Sequence, residues 1–440
     1  MHAKINNENE RSLLDQNYFH NDGKNINNCV VCKSKKLKSI FNLNNIFLTG
    51  YFPLKHESNL IKTPITLNVC EECNNIQMKE KVDPKNMFIN YWYRSSTTNT
   101  MKNHLQKIIN RYGIKKGRLF DIGCNDGTLI KFADTFGMEV FGIDPSNAVK
   151  DIPEKYRDKV FKEFFNLNFC KVELKDLNDS FDLITAISMF YDVSEPIEFL
   201  SGIKLLLKES GKGIIEVNYA KDFFEKKNID MLGQEHLIYY FIETFDIICK
   251  KSGVFLHDAY LTDMNGGNIT FIITKSNIGK TKNLYRLIEE EKEWLNKFNF
   301  KIFETNVKDE FKLFKGWLEE KSKLNSIKIL GASTRGALIS QMLKLNNEII
   351  ISAVDLQLNK KGRLLPGSNI SIEYDPEHSI PDCYLVMPYQ FKSEIINRYT
   401  SFIKNGGELI FYRPSFSIIK YNRKNGIIEE SFIEGVSSKN

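Results

Sequence analysis

A chain of 440 residues with 42% apolar and 12% aromatic residues is long enough for more than one hydrophobic core and too apolar to stay disordered. Its 61 basic and 55 acidic residues leave a net charge of only +6, with no basic stripe, which argues against a nucleic-acid partner. No run approaches the ~18 consecutive apolar residues of a membrane span, and the polar start MHAKINNENERSLLDQ lacks the apolar centre of a secretion signal, so a cytoplasmic location is expected.

In chain order, residues 1–28 read as a mobile, Asn-rich arm. The next segment, 29–85, holds Cys29-Val-Val-Cys32 and Cys70-Glu-Glu-Cys73, two C-x2-C pairs separated by 37 residues. Each tight turn offers two thiolates, and four thiolates in a tetrahedron close a Zn²⁺ ion off from substrate. The gap exceeds that of a simple zinc ribbon, so an excursion is expected between the pairs. Unconnected free thiols are the competing reading. A structural zinc at Cys29, Cys32, Cys70 and Cys73, replacing a core this segment is too small to build, is the expectation. The remaining cysteines are scattered singly, which suits a reducing compartment.

Over 86–278 the strand-like runs RLFDIG, EVFGID, FDLITAIS and GKGIIEVN alternate with amphipathic stretches such as GTLIKFADTFG, the pattern of an α/β domain with a mostly parallel sheet. RLFDIGCNDGTLIKF sets Asp121, Gly123, Asn125 and Gly127 between a strand and a helix. Glycines there admit a ligand close to the backbone, and the helix start offers free N–H groups. Asp144 ends the following strand, 17 residues beyond Gly127, where a carboxylate can accept two ribose hydroxyls. A tight turn with a solvated Asp would leave the same trace. The D-x-G-x-x-x-G spacing differs from a dinucleotide fingerprint and resembles the first motif of S-adenosylmethionine-dependent methyltransferases, which makes that cofactor the expected one. Further on, GQEHLIYY (233–240) joins an acid, Glu235, to a base, His236; this is either surface polarity or a proton-transfer site.

Residues 279–323, dense in Glu, Lys, Leu and Phe, read as one or two connecting helices. SIKILGAST, EIIISAVDLQ, PDCYLVMP and GGELIFYRP then mark the strands of a second, smaller doubly wound α/β domain over 324–440. Its ILGASTRG turn offers backbone N–H groups, the hydroxyls of Ser333 and Thr334 and the guanidinium of Arg335, a set suited to phosphate. A turn inherited from a dinucleotide fold is the alternative. Asn265, in Asn-Gly-Gly, is a further pocket candidate and also a plain hairpin signal.

The CxxC pairs are followed by YWYRSSTTNTMKNH (91–104), DIGCNDGTL (121–129), QEHLIYY (234–240), MNGGN (264–268), LGASTRGALISQ (330–341) and PDCYLVMPYQF (381–391). In this order and spacing the set resembles the three-domain sugar C-methyltransferases that act on nucleotide-linked keto-deoxysugars. The resemblance implies a zinc-binding N-terminal domain, a Rossmann-like cofactor domain and a C-terminal Rossmann-like domain, with a nucleotide-sugar substrate in the cleft between the last two. It assigns His236 as general base, Glu235 as its neighbour in sugar binding, and Tyr93, ahead of Tyr91, as a residue lining the sugar pocket. The assignment is chemically coherent: carbon becomes a nucleophile when a base removes the proton beside a ketone, and neutral imidazole can take that proton. The chain departs from the family at Gly233, where many relatives carry tyrosine, and at Tyr191, where many carry histidine. Tyr191 is expected to replace that histidine as hydrogen-bond donor to the enolate, and Ser333, Thr334 and Arg335 to hold the diphosphate. No nucleic-acid or membrane partner is expected, and the chain is expected to act as a monomer. The rival readings are an O- or N-methyltransferase acting on a small metabolite or sugar, an RNA methyltransferase, and a non-catalytic nucleotide-sugar-binding protein.

Overall fold

The computed structural model describes residues 25–57, 60–89, 91–377 and 379–436; apart from residues 25–28, the arm expected at the N-terminus lies outside the described residues. Strands β1 (Leu37–Phe47) and β2 (Lys62–Cys70) form an antiparallel hairpin between the two cysteine turns. This hairpin is the excursion that the long gap called for. β3 (Ile76–Met78) extends the sheet, and its far edge is taken by a two-residue strand from much later in the chain, Ile238–Tyr239. The first sheet therefore crosses the boundary expected near residue 85.

The strand Ile238–Tyr239 of the first sheet is β9; the second sheet contains β4 (Arg118–Ile122), β5 (Glu139–Ile143), β6 (Val160–Phe161), β7 (Phe181–Ile187) and β8 (Leu207–Asn218), completed by the hairpin β10 (Phe255–Thr262) and β11 (Asn268–Thr274). The order is β10-β11-β8-β7-β4-β5-β6; β6 to β8 run parallel and β11 joins β8 antiparallel. Apolar runs such as Leu119–Phe120 and Leu183–Ile184 are buried, as expected of strands covered on both faces. The third sheet runs β14-β13-β12-β15-β16-β17-β18, from β12 (Ile327–Leu330), β13 (Ala353–Asp355), β14 (Ile372–Tyr374), β15 (Cys383–Val386), β16 (Glu408–Phe411), β17 (Ser417–Asn422) and β18 (Ile427–Phe432). Only four of its strands were expected. The others are short or half-polar and give no clear alternation.

In both α/β sheets the first strand is flanked by its successors on either side, β4 by β5 and β7, β12 by β13 and β15. Reversal of the winding there opens a crevice at the carboxyl ends of the strands. The connector is two helices, Lys282–Lys297 and Phe300–Ser322. The first carries a fully buried Glu291, which caps helix Ile242–Ser252 by accepting from the N–H groups of Ile242 (2.8 Å) and Glu243 (3.2 Å), and also accepts from Tyr219 Oη (2.8 Å). Burial pushes its carboxyl up to about 7. Among the described residues no helix is long and apolar enough to cross a membrane.

Candidate active site and zinc centre

The two cysteine turns fold alike. Lys33 and Asn74, each just after a C-x2-C pair, adopt left-handed backbone (φ 67° and 58°), and their N–H groups donate to Cys29 O and Cys70 O at 2.9 Å. The turns bring the four sulfurs within 4.8 Å of one another, with Cys29 to Cys73 at 3.6 Å and Cys32 to Cys70 at 3.5 Å. A tetrahedron with Zn–S bonds of about 2.3 Å has S–S edges of about 3.8 Å. The cluster fits zinc, and with four thiolate donors it leaves no position for substrate.

The two crevices meet in one cavity of about 630 Å³. Its walls include Asp121, Gly123, Asn125 and Asp144 from the middle domain, and Asn265, Ser333, Thr334 and Arg335 where the third domain approaches. Glu235, His236, Tyr93 and Tyr191 also line it. Gly127 does not: with φ 72° it caps helix Thr128–Phe136 and shapes the turn beneath.

The cofactor side is built by local hydrogen bonds. Asp144 accepts from the N–H groups of Asn125 (2.9 Å) and Ser146 (2.8 Å), tying the end of β5 to the loop after β4. Gly123 adopts φ 75°, and a Cβ there would stand 2.8 Å from Met189 Cγ, so the backbone is open only while the residue is glycine. Asp121 accepts from Thr185 Oγ1 at 2.7 Å, but burial outweighs this bond and pushes its carboxyl up to about 7. The YWYRSS segment lies across the same loop, with Ser95 and Ser96 N–H donating at 3.0 Å to Asn125 Oδ1 and Asp126 Oδ2. A glycine-lined loop, an acid at the next strand end and the shared cavity are the features S-adenosylmethionine requires.

His236 is buried, and its Nδ1 lies 2.6 Å from the Met231 carbonyl. A carbonyl can only accept, so Nδ1 carries the hydrogen and the neutral ring has its lone pair on Nε2. Burial lowers the proton affinity of the imidazole, and the neighbouring Glu235 opposes this; the net direction is downward. The Tyr191 ring packs against the imidazole, centroids 4.4 Å apart. Burial, then the nearby Asp192, pushes the Tyr191 hydroxyl well above its ordinary range, so it remains a donor. Asp192 went unnoticed in the sequence, although it adjoins Tyr191. Its Oδ1 is buried without a hydrogen-bond partner, and burial followed by Glu235 pushes its carboxyl well up.

The structure adds contacts that the sequence could not give. Tyr93 is 36% exposed and stands over the cofactor loop, its carbonyl accepting from Asn125 Nδ2 at 3.2 Å. Tyr91 lines the cavity as well, shares a smaller recess with Glu235 and feels its charge. Arg335 lines the cavity with its guanidinium engaged by protein groups: Nε and Nη2 each lie 2.5 Å from Asp230 Oδ2, and Nη2 also donates to Asn265 O (3.2 Å) and Tyr389 Oη (3.1 Å). Ser333 caps its own helix by accepting from Gly336 N–H at 3.0 Å. The conformation of Asn265 (φ 54°) belongs to the β10–β11 turn, where its Nδ2 donates to Ser188 Oγ at 3.3 Å. His104, at the end of the YWYRSSTTNTMKNH segment, lies within 3.0 Å of both carboxylate oxygens of the buried Glu216, which Asn268 and Thr270 also bond.

Comparison with known proteins agrees with this layout. Residues 29–88 match a family described as "Putative zinc binding domain", residues 97–257 a "Methyltransferase domain" and residues 263–414 a "C-methyltransferase C-terminal domain". The C-methyltransferase NovU of Streptomyces niveus is 23% identical over 372 residues, covering 81% of this chain and 87% of the relative. Among solved structures, the PH0226 protein of Pyrococcus horikoshii OT3 covers 44% of this chain and 97% of its own, at 14% identity and a TM-score of 0.35. A SAM-dependent methyltransferase of Aquifex aeolicus covers 39% and 89%, at 17% identity and a TM-score of 0.31. With the three domain families matched in succession around one cavity, and with NovU similar along most of its length, the chain is an S-adenosylmethionine-dependent C-methyltransferase.

Proposed function

We propose that the carbon methylated adjoins the ketone of a nucleotide-linked keto-deoxysugar, and that His236 is the base that makes it a nucleophile. The observation that carries this reading is the bond from His236 Nδ1 to Met231 O, which leaves Nε2 as the basic atom of a ring lining the cavity. In this reading residues 29–85, 86–278 and 324–440 are the zinc, cofactor and sugar-side domains, joined by 279–323.

His236 Nε2 takes the proton from the carbon beside the ketone, and the electron pair left behind moves onto the ketone oxygen as an enolate. Tyr191 Oη, held protonated, donates to that oxygen. Glu235 and Asp192 offer carboxyl groups to the sugar hydroxyls, and Tyr91 closes the same recess. S-adenosylmethionine, held by the Gly123–Gly127 loop and Asp144, supplies the electrophilic methyl group. The diphosphate lies against the Gly331–Thr334 turn. Four cysteines gather as a zinc-binding cluster and the other four are scattered thiols, a usage that fits a cytoplasmic enzyme.

The test is a panel of nucleoside-diphosphate keto-deoxysugars deuterated beside the ketone. Product should gain a methyl group and lose deuterium, and His236→Gln should slow this about 10²- to 10⁴-fold. Methylated product that keeps its deuterium would mean transfer to oxygen or nitrogen, and the reading would be wrong.

A further inference from the structure

We propose that Arg335 and Asp230 form a positioning relay through which the C-terminal domain holds the His236 imidazole in its working orientation. The inference rests on the reading of His236 as the base. Arg335 stands in the first turn of helix Thr334–Met342 of the C-terminal domain, whereas Asp230 is the middle residue of the short 3₁₀ turn Ile229–Met231 of the methyltransferase domain. The Asp230 side chain is wholly buried, and the guanidinium supplies its counter-charge through two 2.5 Å contacts to Oδ2. Tyr389, also from the C-terminal domain, donates to the same turn, 3.2 Å from Asn228 Oδ1 and 3.4 Å from Asp230 Oδ1.

The residue after Asp230 is Met231, whose carbonyl takes the His236 Nδ1–H at 2.6 Å and the Tyr239 hydroxyl at 2.7 Å. One peptide unit thus separates the ion pair from the acceptor that selects the ring's tautomer and aims Nε2. If the guanidinium were removed, Asp230 would be a buried charge without a counter-charge, left with only the long Tyr389 hydroxyl bond, and the turn would have to move to hydrate it. That movement would carry the Met231 carbonyl with it.

The charged and titratable groups facing the imidazole are Glu235 beside it, Asp230 and Arg335 behind the turn, Tyr191 and Asp192 from the loop after β7, and Tyr239 on the shared carbonyl. Burial and Arg335 favour the neutral ring; Glu235 and Asp230 favour the charged one. In the intact chain His236 should therefore titrate below 6.5. Loss of the Arg335 charge, with Asp230 left unpaired, should move that titration upward.

The experiment is ¹⁵N-histidine NMR on the full chain, with His236 assigned through His236→Gln, beside steady-state kinetics. Arg335→Gln should raise the His236 pKa by about one unit and weaken the Nδ1–H tautomer. It should lower kcat about tenfold while KM stays within about twofold. Arg335→Lys, which keeps the charge, should recover most of both effects. Unchanged titration and tautomer in Arg335→Gln, or a rise confined to KM, would overturn the relay. If Arg335→Gln does not fold, Asp230→Asn must lower the His236 pKa, and an unmoved value overturns the relay equally. Normal turnover in His236→Gln would instead remove the base reading, while the NMR coupling between positions 335 and 236 would still be decided by its own measurement.

Discussion

Position 233 is a glycine, and what it provides is space. A Cβ built on Gly233 would lie 2.6 Å from Glu235 Cδ and Oε2, because the Glu235 carboxyl group folds back over that residue. The absent side chain leaves the volume that the carboxyl occupies. Gly233→Ala should push Glu235 out of place and lower kcat/KM about tenfold, with little change in melting temperature because the displaced atoms are the end of a flexible side chain. Kinetics paired with thermal denaturation checks this; full activity in the alanine variant would mean that the carboxyl placement is dispensable.

At the scale of elements, the pairing that matters most is β3 with β9. β3 follows the second cysteine turn, and its far edge holds Ile238 and Tyr239. Between them and His236 sits Leu237, whose carbonyl accepts from Met78 N–H at 2.8 Å and whose N–H donates to Tyr191 O at 2.8 Å. The backbone beside the base is thus clamped by the zinc-cluster sheet on one side and by the Tyr191 loop on the other. Structural zinc contributes on the order of 10 kcal/mol to the segment it folds. Stripping the metal with a chelator should raise amide exchange at residues 76–78 and 237–239 together and abolish turnover. Binding of S-adenosylmethionine, whose loop is built on β4 and β5, should persist. Exchange by mass spectrometry and calorimetric titration measure the two halves; protected amides at 237–239 after metal loss would refute the coupling.

The molecule as a whole is bound together more tightly than three consecutive domains would suggest. One hydrophobic cluster runs from Phe41 and Ile65 in the first sheet through Phe190 and Phe223 to Leu385 and Tyr412 in the third. Polar contacts converge on the end of β1: Gln341 of the C-terminal domain accepts from Phe47 N–H at 2.8 Å, and both Gln341 and Gln234 donate to Phe47 O at 3.2 Å. Arg413 adds a further tie, donating to Lys227 O at 2.8 Å. With so much apolar surface shared, the sheets should unfold as a unit. Scanning calorimetry of the zinc-loaded chain should show one transition with equal calorimetric and van't Hoff enthalpies. Two resolved transitions would show that the shared core is not cooperative.

What could be read from the chain itself was whatever lies close along it. The C-x2-C turns, the glycine loop between β4 and its helix, and the apolar runs of the parallel sheets all depend on neighbours a few residues away, so spacing alone expressed them. The site depends on distant partners. Arg335 meets Asp230 across 105 positions, Gln341 reaches Phe47 across 294, and β9 finds β3 by backbone pairing to which side-chain pattern is nearly indifferent. Local periodicity carries no information about which distant residue will arrive. For that reason Asp192 and Asp230 passed unnoticed, and the ion pair that Arg335 makes with Asp230 could not be foreseen. Only packing the sheets together, and the need to pair each buried charge, decided where those side chains stand.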